Sequence, residues 1–182
     1  MGKYIIAIIA PNETGKTSVV KTFWNKYSKG KLLNTDKKYE TIGFWDEPEI
    51  SMRIGVNSLG DTIKQIQEGL AVLLHYECDI IVCTARNENA LITAKDNLEK
   101  TVFECHLDDS IVITPTELEK LSKISRSDEY SVITCGHFSE VCDRISLTER
   151  DKRNEDHNRI VGGVNLNEFT AEILMELIEK LS

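Results

Sequence analysis

No stretch of this sequence is long and apolar enough to cross a bilayer. A membrane helix needs about 20 apolar residues, and the run near the start, Tyr4 to Ala10, stops at Pro11 and Asn12. That run also lacks the small-residue cleavage site of a secretory leader, so it reads as a strand and the protein as cytoplasmic. The five cysteines, Cys78, Cys83, Cys105, Cys135 and Cys142, include no C-x-x-C pair. An odd count without paired spacing supports neither a disulfide framework nor a common zinc site, and reduced thiols are expected. A basic surplus is missing as well, since 22 Lys plus Arg against 30 Asp plus Glu leave a net charge of −8. This argues against a broad nucleic-acid interface, because gripping the phosphate backbone takes a large cationic patch. A protein partner or a homo-oligomer is compatible with the same balance. No repeat, low-complexity tract or Gly/Ser linker divides the chain. With 182 residues, 41% of them hydrophobic and 29% charged, it is long enough to bury one core and short for two. One domain over residues 1–182 is expected.

Strand-like and helix-like segments alternate, which is the pattern of an α/β domain with a mostly parallel sheet. Tyr4 to Ala10 is continuously apolar, as in a strand covered on both faces. From Lys16 the period becomes helical, with Val19, Val20, Phe23, Trp24 and Tyr27 on one stripe. Glu40 to Trp45 and Glu49 to Val56, separated by Asp46-Glu47-Pro48, read as an early β-hairpin, with Gly55 as a bulge. Ile63, Ile66, Leu70, Leu73 and Leu74 fall at helical spacing, Asp79 to Thr84 reads as a second buried strand, and a helix from Glu88 carries Ala90, Leu91, Ala94 and Leu98. Thr114-Pro-Thr-Glu117 is a capping box for a short helix, and Tyr130 to Cys135 is a further strand. Asn165 with Glu168 opens a terminal helix with Phe169, Ile173, Leu174, Leu177 and Leu181 inward. Between these, residues 144–159 are nearly devoid of apolar side chains, as in a mobile lid or a solvated loop.

The chemistry is concentrated in Ala10-Pro-Asn-Glu-Thr-Gly-Lys-Thr17, immediately after the first strand and opening the first helix. Gly15 lets the backbone turn close to an anion, and the N–H groups of Pro11-to-Ser18 residues other than proline face it, namely Asn12, Glu13, Thr14, Gly15, Lys16, Thr17 and Ser18. Lys16 supplies a cation for the β- and γ-phosphates and Thr17 a hydroxyl for Mg²⁺, while Pro11 contributes rigidity. This segment resembles the Walker A motif of the P-loop NTPases, in the variant where Ala10 stands for the first glycine. The resemblance implies a three-layer P-loop fold, a bound nucleoside triphosphate and a Mg²⁺ cofactor.

In an open parallel sheet the ligand lies beyond the carboxyl ends of the strands, so residues that follow strands are candidates. Asp79 precedes its strand and reads as a helix–strand turn residue. Asp61, in Asn57-Ser-Leu-Gly-Asp61 after a strand, is the preferred metal-side acid, although Ser58 or Asp61 would equally serve to cap the next helix. Arg86, after Thr84-Ala, is placed either to stabilise charge on the transferring phosphate or to pair with a surface carboxylate. His137 follows a later strand and is either a base or a structural histidine. Cys105-His106 and Cys135-x-His137 with Cys142 match no common zinc spacing and read as thiols. Arg144, Arg150, Arg153 and Arg159 resemble the arginine-bearing lids of nucleotide kinases, but Glu149, Asp151, Glu155 and Asp156 interleave with them, which favours self-compensated surface charge.

Residues 1–100 resemble small bacterial P-loop ATPases and kinases that pair such a hairpin with a Gly-Asp strand end and a later strand ending in arginine. The function this implies is Mg²⁺-dependent binding and hydrolysis of a nucleoside triphosphate. ATP is preferred over GTP, because the guanine-reading N-K-x-D sequence is missing: Asn25-Lys26 continues as Tyr-Ser inside the first helix. Two alternatives stand beside it. One is a nucleotide or small-molecule kinase, for which no acidic acceptor pair follows a strand apart from Asp46 in the hairpin turn. The other is a nucleotide-dependent interaction or signalling module that uses the hairpin edge to meet a partner.

Overall fold

The computed structural model describes residues 3–9, 15–33, 41–96, 130–136, 160–161 and 164–182. In chain order these form β1 (Lys3–Ile9), α1 (Lys16–Tyr27), β2 (Lys31–Leu32), β3 (Ile42–Glu47), β4 (Met52–Asn57) and α2 (Ile63–His75). There follow β5 (Ile80–Ala85), α3 (Glu88–Asp96), β6 (Tyr130–Gly136), β7 (Ile160–Val161), β8 (Val164–Asn165) and α4 (Leu166–Leu181). A six-stranded sheet in the order β2-β3-β4-β5-β1-β6 forms the centre, with β7 and β8 as a separate antiparallel pair. The four strands β4, β5, β1 and β6 run parallel, and β3 is antiparallel to both β4 and β2. The class is therefore α/β with a mostly parallel open sheet.

Strand side chains alternate between faces, and here both faces are apolar and both are covered. Ile5, Ala7, Ile81, Cys83 and Ala85 point to one side, where α2 brings Ile66, Leu70, Leu73 and Leu74 and α3 brings Leu91 and Ala94. Ile6, Ile8, Ile80, Val82 and Ile54 point to the other, against Val19, Val20, Phe23 and Trp24 of α1 and Ala171, Leu174 and Ile178 of α4. Phe23 is fully buried, and its ring lies 5.8 Å from that of Trp45, which in turn meets Trp24 edge-on at 5.7 Å. Each such ring pair adds about 0.5–1.5 kcal/mol beyond simple burial, so this cluster fastens α1 over the hairpin as well as over β1. The register that results, Ile9 opposite Ala85 and Gly136, brings the carboxyl ends of β1, β5 and β6 to one edge of the sheet.

Several local expectations are corrected. The hairpin turn occupies residues 48–51, with Ser51 at φ 53°, so Asp46 is a residue of β3 opposite Arg53 and not part of the turn. Gly55 is no bulge: it sits in unbroken register with Phe44. A glycine is needed there because a Cβ would lie 2.8 Å from Cys78 Sγ and 2.9 Å from Leu73 Cδ2. β2 pairs with the Gly43–Phe44 part of β3, so this strand is not a fully open edge. Helix faces also differ from the simple apolar stripe. Ile63 is exposed at the start of α2, and in α4 Phe169 and Ile173 face outward while Thr170, Ala171, Leu174 and Ile178 face in. A helix covers only three or four positions per two turns, so an apolar stripe wider than that leaves some of its members outside. The Thr114 capping box, Leu98 and residues 144–159 lie outside the described residues.

Candidate functional site

Gly15 is the N-cap of α1 at φ 92°, ψ 13°, a left-handed conformation that glycine adopts without steric cost. A glycine cap has no side chain to offer the first-turn N–H groups, and no acid occupies that turn. The first turn thus carries neither a cap nor an acid of its own, and a helix start of this kind suits an anion. Lys16 follows directly and is only 6% exposed. Burial lowers its pKa from the ordinary lysine value, Asp61 acts against that shift, and Arg86 reinforces it. All three charges therefore share one neighbourhood, at the end of the sheet where β1 and β5 finish. Arg86 Nε stands 3.8 Å from Asp61 Oδ1, with both side chains substantially exposed. Among the described residues, this neighbourhood holds two cations, Lys16 and Arg86, and one carboxylate, Asp61.

Residues 57–61, between β4 and α2, are held in place by a dense set of polar contacts. Ser58 exchanges bonds with Thr41: its N–H donates to the Thr41 carbonyl at 2.9 Å and its Oγ accepts the Thr41 N–H at 2.6 Å. Asn57, fully buried, accepts the Leu59 N–H on Oδ1 at 2.9 Å and donates from Nδ2 to the Leu59 carbonyl at 3.3 Å. The Ser58 carbonyl accepts the Thr84 hydroxyl at 3.0 Å and, more loosely, the Thr17 hydroxyl at 3.4 Å. Thr62, rather than Ser58 or Asp61, caps α2. Its Oγ1 accepts the Gln65 N–H at 3.2 Å while Gln65 Oε1 accepts the Thr62 N–H at 3.0 Å, a reciprocal capping box. The helix start is satisfied without Asp61, whose carboxylate faces Arg86 instead.

Asp79 lies at the opposite end of the sheet. Its Oδ2 accepts the Arg53 N–H at 2.9 Å, its own N–H donates to the Arg53 carbonyl at 2.8 Å, and its carbonyl accepts the Tyr4 N–H at 2.9 Å. It ties β4, β5 and β1 together where they begin. A shallow depression there, lined by Lys3, Asp46, Arg53, Glu77 and Asp79 among others, is dominated by carboxylates and ill suited to a phosphate. Asp46 is engaged by Arg53 at 2.7 Å, and that guanidinium holds its carboxyl below the usual range.

Of the remaining sequence candidates, Ser18 is half-buried in the first turn of α1. Pro11, Asn12, Glu13, Thr14, His137, Cys105, His106, Cys142 and the arginines of residues 144–159 lie outside the described residues, and Cys135 falls in β6. Thr41, Ser58 and Thr84 are buried polar residues that the motif reading did not place in the site. Thr84 carried a visible signal, being the one hydroxyl in the otherwise apolar run from Ile80 to Ala85.

Among the described residues no cluster of three or more His, Cys, Asp or Glu could hold a metal by itself. Thr17 and Asp61 instead offer one hydroxyl and one carboxylate. Mg²⁺ is commonly held that way, by one or two protein ligands with waters and substrate phosphates completing the shell. No described helix is long and apolar enough to cross a membrane. Compared with family profiles, curated proteins and solved structures, the chain matches none of them.

Proposed function

We propose that the protein binds a nucleoside triphosphate, ATP in preference to GTP, as its Mg²⁺ complex at the start of α1 and hydrolyses it, in the manner of a small P-loop ATPase. The observation that carries the reading is the gathering of Lys16, Asp61 and Arg86 beside a helix that opens on a left-handed glycine. The arrangement joins the three requirements of a phosphate site: backbone N–H groups, a lysine cation, and a hydroxyl with a carboxylate for the metal. The order β4-β5-β1-β6 supports it, because the motif-bearing strand then lies inside the parallel set, where ligands of open parallel sheets bind beyond the carboxyl ends of the strands.

Each residue has a definable task in this reading. Lys16, partly stripped of water, gives a stronger interaction with a phosphate oxygen than an exposed lysine would. Thr17 and Asp61 would hold Mg²⁺, which supplies neutralisation of phosphate charge when bound. Arg86, released from Asp61, offsets charge that grows on the γ-phosphate oxygens in the transition state. Calorimetric titration with Mg·ATP and a phosphate-release assay test this directly. The wild type should bind and turn over, and Lys16→Ala should lose both; equal ATP affinity in the two proteins refutes the assignment. The Asp61–Arg86 ion pair also favours a second reading. An Arg86 that stays on Asp61 with nucleotide bound gives slow hydrolysis and a loop that signals nucleotide state to a partner, which is the behaviour of an interaction module.

A further inference from the structure

Thr84 is 1% exposed and carries the hydroxyl of a strand whose other side chains, Ile80 to Cys83 and Ala85, are apolar. Burying a hydroxyl is costly unless it is bonded, and its acceptor here is the main-chain carbonyl of Ser58 at 3.0 Å. The same oxygen receives the Thr17 hydroxyl at 3.4 Å, longer than an ordinary O–H···O bond and therefore readily exchanged for a better partner. Gly60 rests directly on Thr84: a Cβ on Gly60 would fall 2.2 Å from Thr84 Oγ1 and 2.3 Å from the Thr84 carbonyl oxygen. One side chain thus joins the end of β5, the loop that delivers Asp61, and, through the shared carbonyl, the second residue of α1.

Resting on the Mg·ATP reading above, we propose that Thr84 is a positioning residue for the metal side of the site. By holding the Ser58 carbonyl it sets the spacing between residues 57–61 and the start of α1, and so the relative placement of the Thr17 hydroxyl and the Asp61 carboxylate. The acceptor is a peptide carbonyl, which neither gains nor loses a proton across the working pH range, so this spacing does not titrate.

The test compares Thr84→Val, which keeps the shape and removes the hydroxyl, with Thr84→Ser, which keeps the hydroxyl. The dissociation constant for ATP is measured by calorimetry with Mg²⁺ and again in EDTA, and their ratio gives the metal-dependent gain. Thr84→Val should bind ATP in EDTA like the wild type yet lose roughly tenfold or more of that gain, the size expected when a group supporting a metal ligand is removed. Thr84→Ser should restore it. A purely structural threonine would lower the melting temperature of Thr84→Val and leave the ratio unchanged, and that result overturns the proposal, as does a wild type with no metal-dependent gain. If Thr84→Val does not fold, Thr84→Ala supplies the same ratio. A wild type that binds no ATP at all removes the functional reading itself, an outcome distinct from a wild-type gain that survives in the variants.

Discussion

Gly69, in the middle of α2, stands directly over the buried Asn57 amide, and replacing it by alanine sets two effects against each other. An alanine in a helix interior is worth about 1 kcal/mol more than a glycine, which alone would stabilise the protein. A Cβ at this position, however, would fall 1.9 Å from Asn57 Nδ2 and 2.1 Å from Asn57 Cγ. The amide has little room to move aside, because Asn57 is fully buried and bonded to both the N–H and the carbonyl of Leu59. Relief therefore requires α2 to lift or the amide to leave Leu59. Overpacking costs about 1–3 kcal/mol, and leaving a buried N–H unpaired costs about 1–3 kcal/mol more. Less the helix preference of alanine, Gly69→Ala should destabilise by about 1–5 kcal/mol net, lowering Tm by roughly 2–20 °C for a chain of this size. Calorimetric unfolding of four proteins reads the cause: wild type, Gly69→Ala, Asn57→Ala and the double variant. With the amide removed, the alanine should cost nothing and recover part of its helix preference. A Gly69→Ala that melts at or above the wild-type temperature, or that is equally harmful in the Asn57→Ala background, refutes the reasoning.

Three further outcomes follow from the same geometry. Arg86→Ala should lower kcat for ATP about a hundredfold while changing ATP affinity little, since a group acting on transition-state charge is read in kcat; an unchanged rate with a lowered Tm makes Arg86 a structural partner of Asp61. Asp61→Asn should sharply reduce turnover, whereas Asp79→Asn should reduce stability and leave kcat near the wild type, the two being separated by steady-state kinetics and thermal melts. Burial pushes the Cys78 and Cys83 thiols up to about 12 from an ordinary 9.0, so iodoacetamide at pH 8 followed by peptide mass mapping should leave both unlabelled in the native protein. The sign for stability follows: above pH 9 the unfolded chain gives up these protons and the folded chain keeps them, so stability should fall with rising pH by about 1.4 kcal/mol per pH unit per thiol, as urea melts between pH 9 and 10.5 will show.

The strands and helices of the described residues were legible wherever the apolar period was unambiguous. The run Tyr4 to Ala10, the stripe Val19-Val20-Phe23-Trp24 and the buried strand after Asp79 each need only their own residues to be read. Legibility fails where a second element decides the outcome. Gly55 looks like a bulge because local sequence does not contain Cys78 Sγ or Leu73 Cδ2, the atoms that leave no space for a Cβ. Asp46 looks like a turn residue beside Pro48, yet pairing with Arg53 across the hairpin carries β3 on to Glu47. Phe169 and Ile173 look like core residues because an apolar stripe does not state which of its members meet the sheet.

The site shows the same division at a finer scale. That Asp61 and Arg86 emerge at one end of the sheet, and Asp79 at the other, follows from strand direction alone, which the order of residues along a parallel strand encodes. That Asp61 and Arg86 meet each other is not encoded so simply, because it depends on β4 and β5 being neighbours. Their meeting changes the electrostatics that either residue has alone. Asp61 alone would draw the Lys16 pKa up, while an Arg86 without Asp61 would drive it further down. With both present, their influences on Lys16 oppose one another. In the proposed site, a metal that engages the Asp61 carboxylate would compete with Arg86 for it, so that metal binding and release of the arginine toward phosphate would be coupled. The exposed, 3.8 Å geometry of the pair favours such an exchange, since a surface ion pair at that separation is worth less than about 1 kcal/mol and opposes it only weakly.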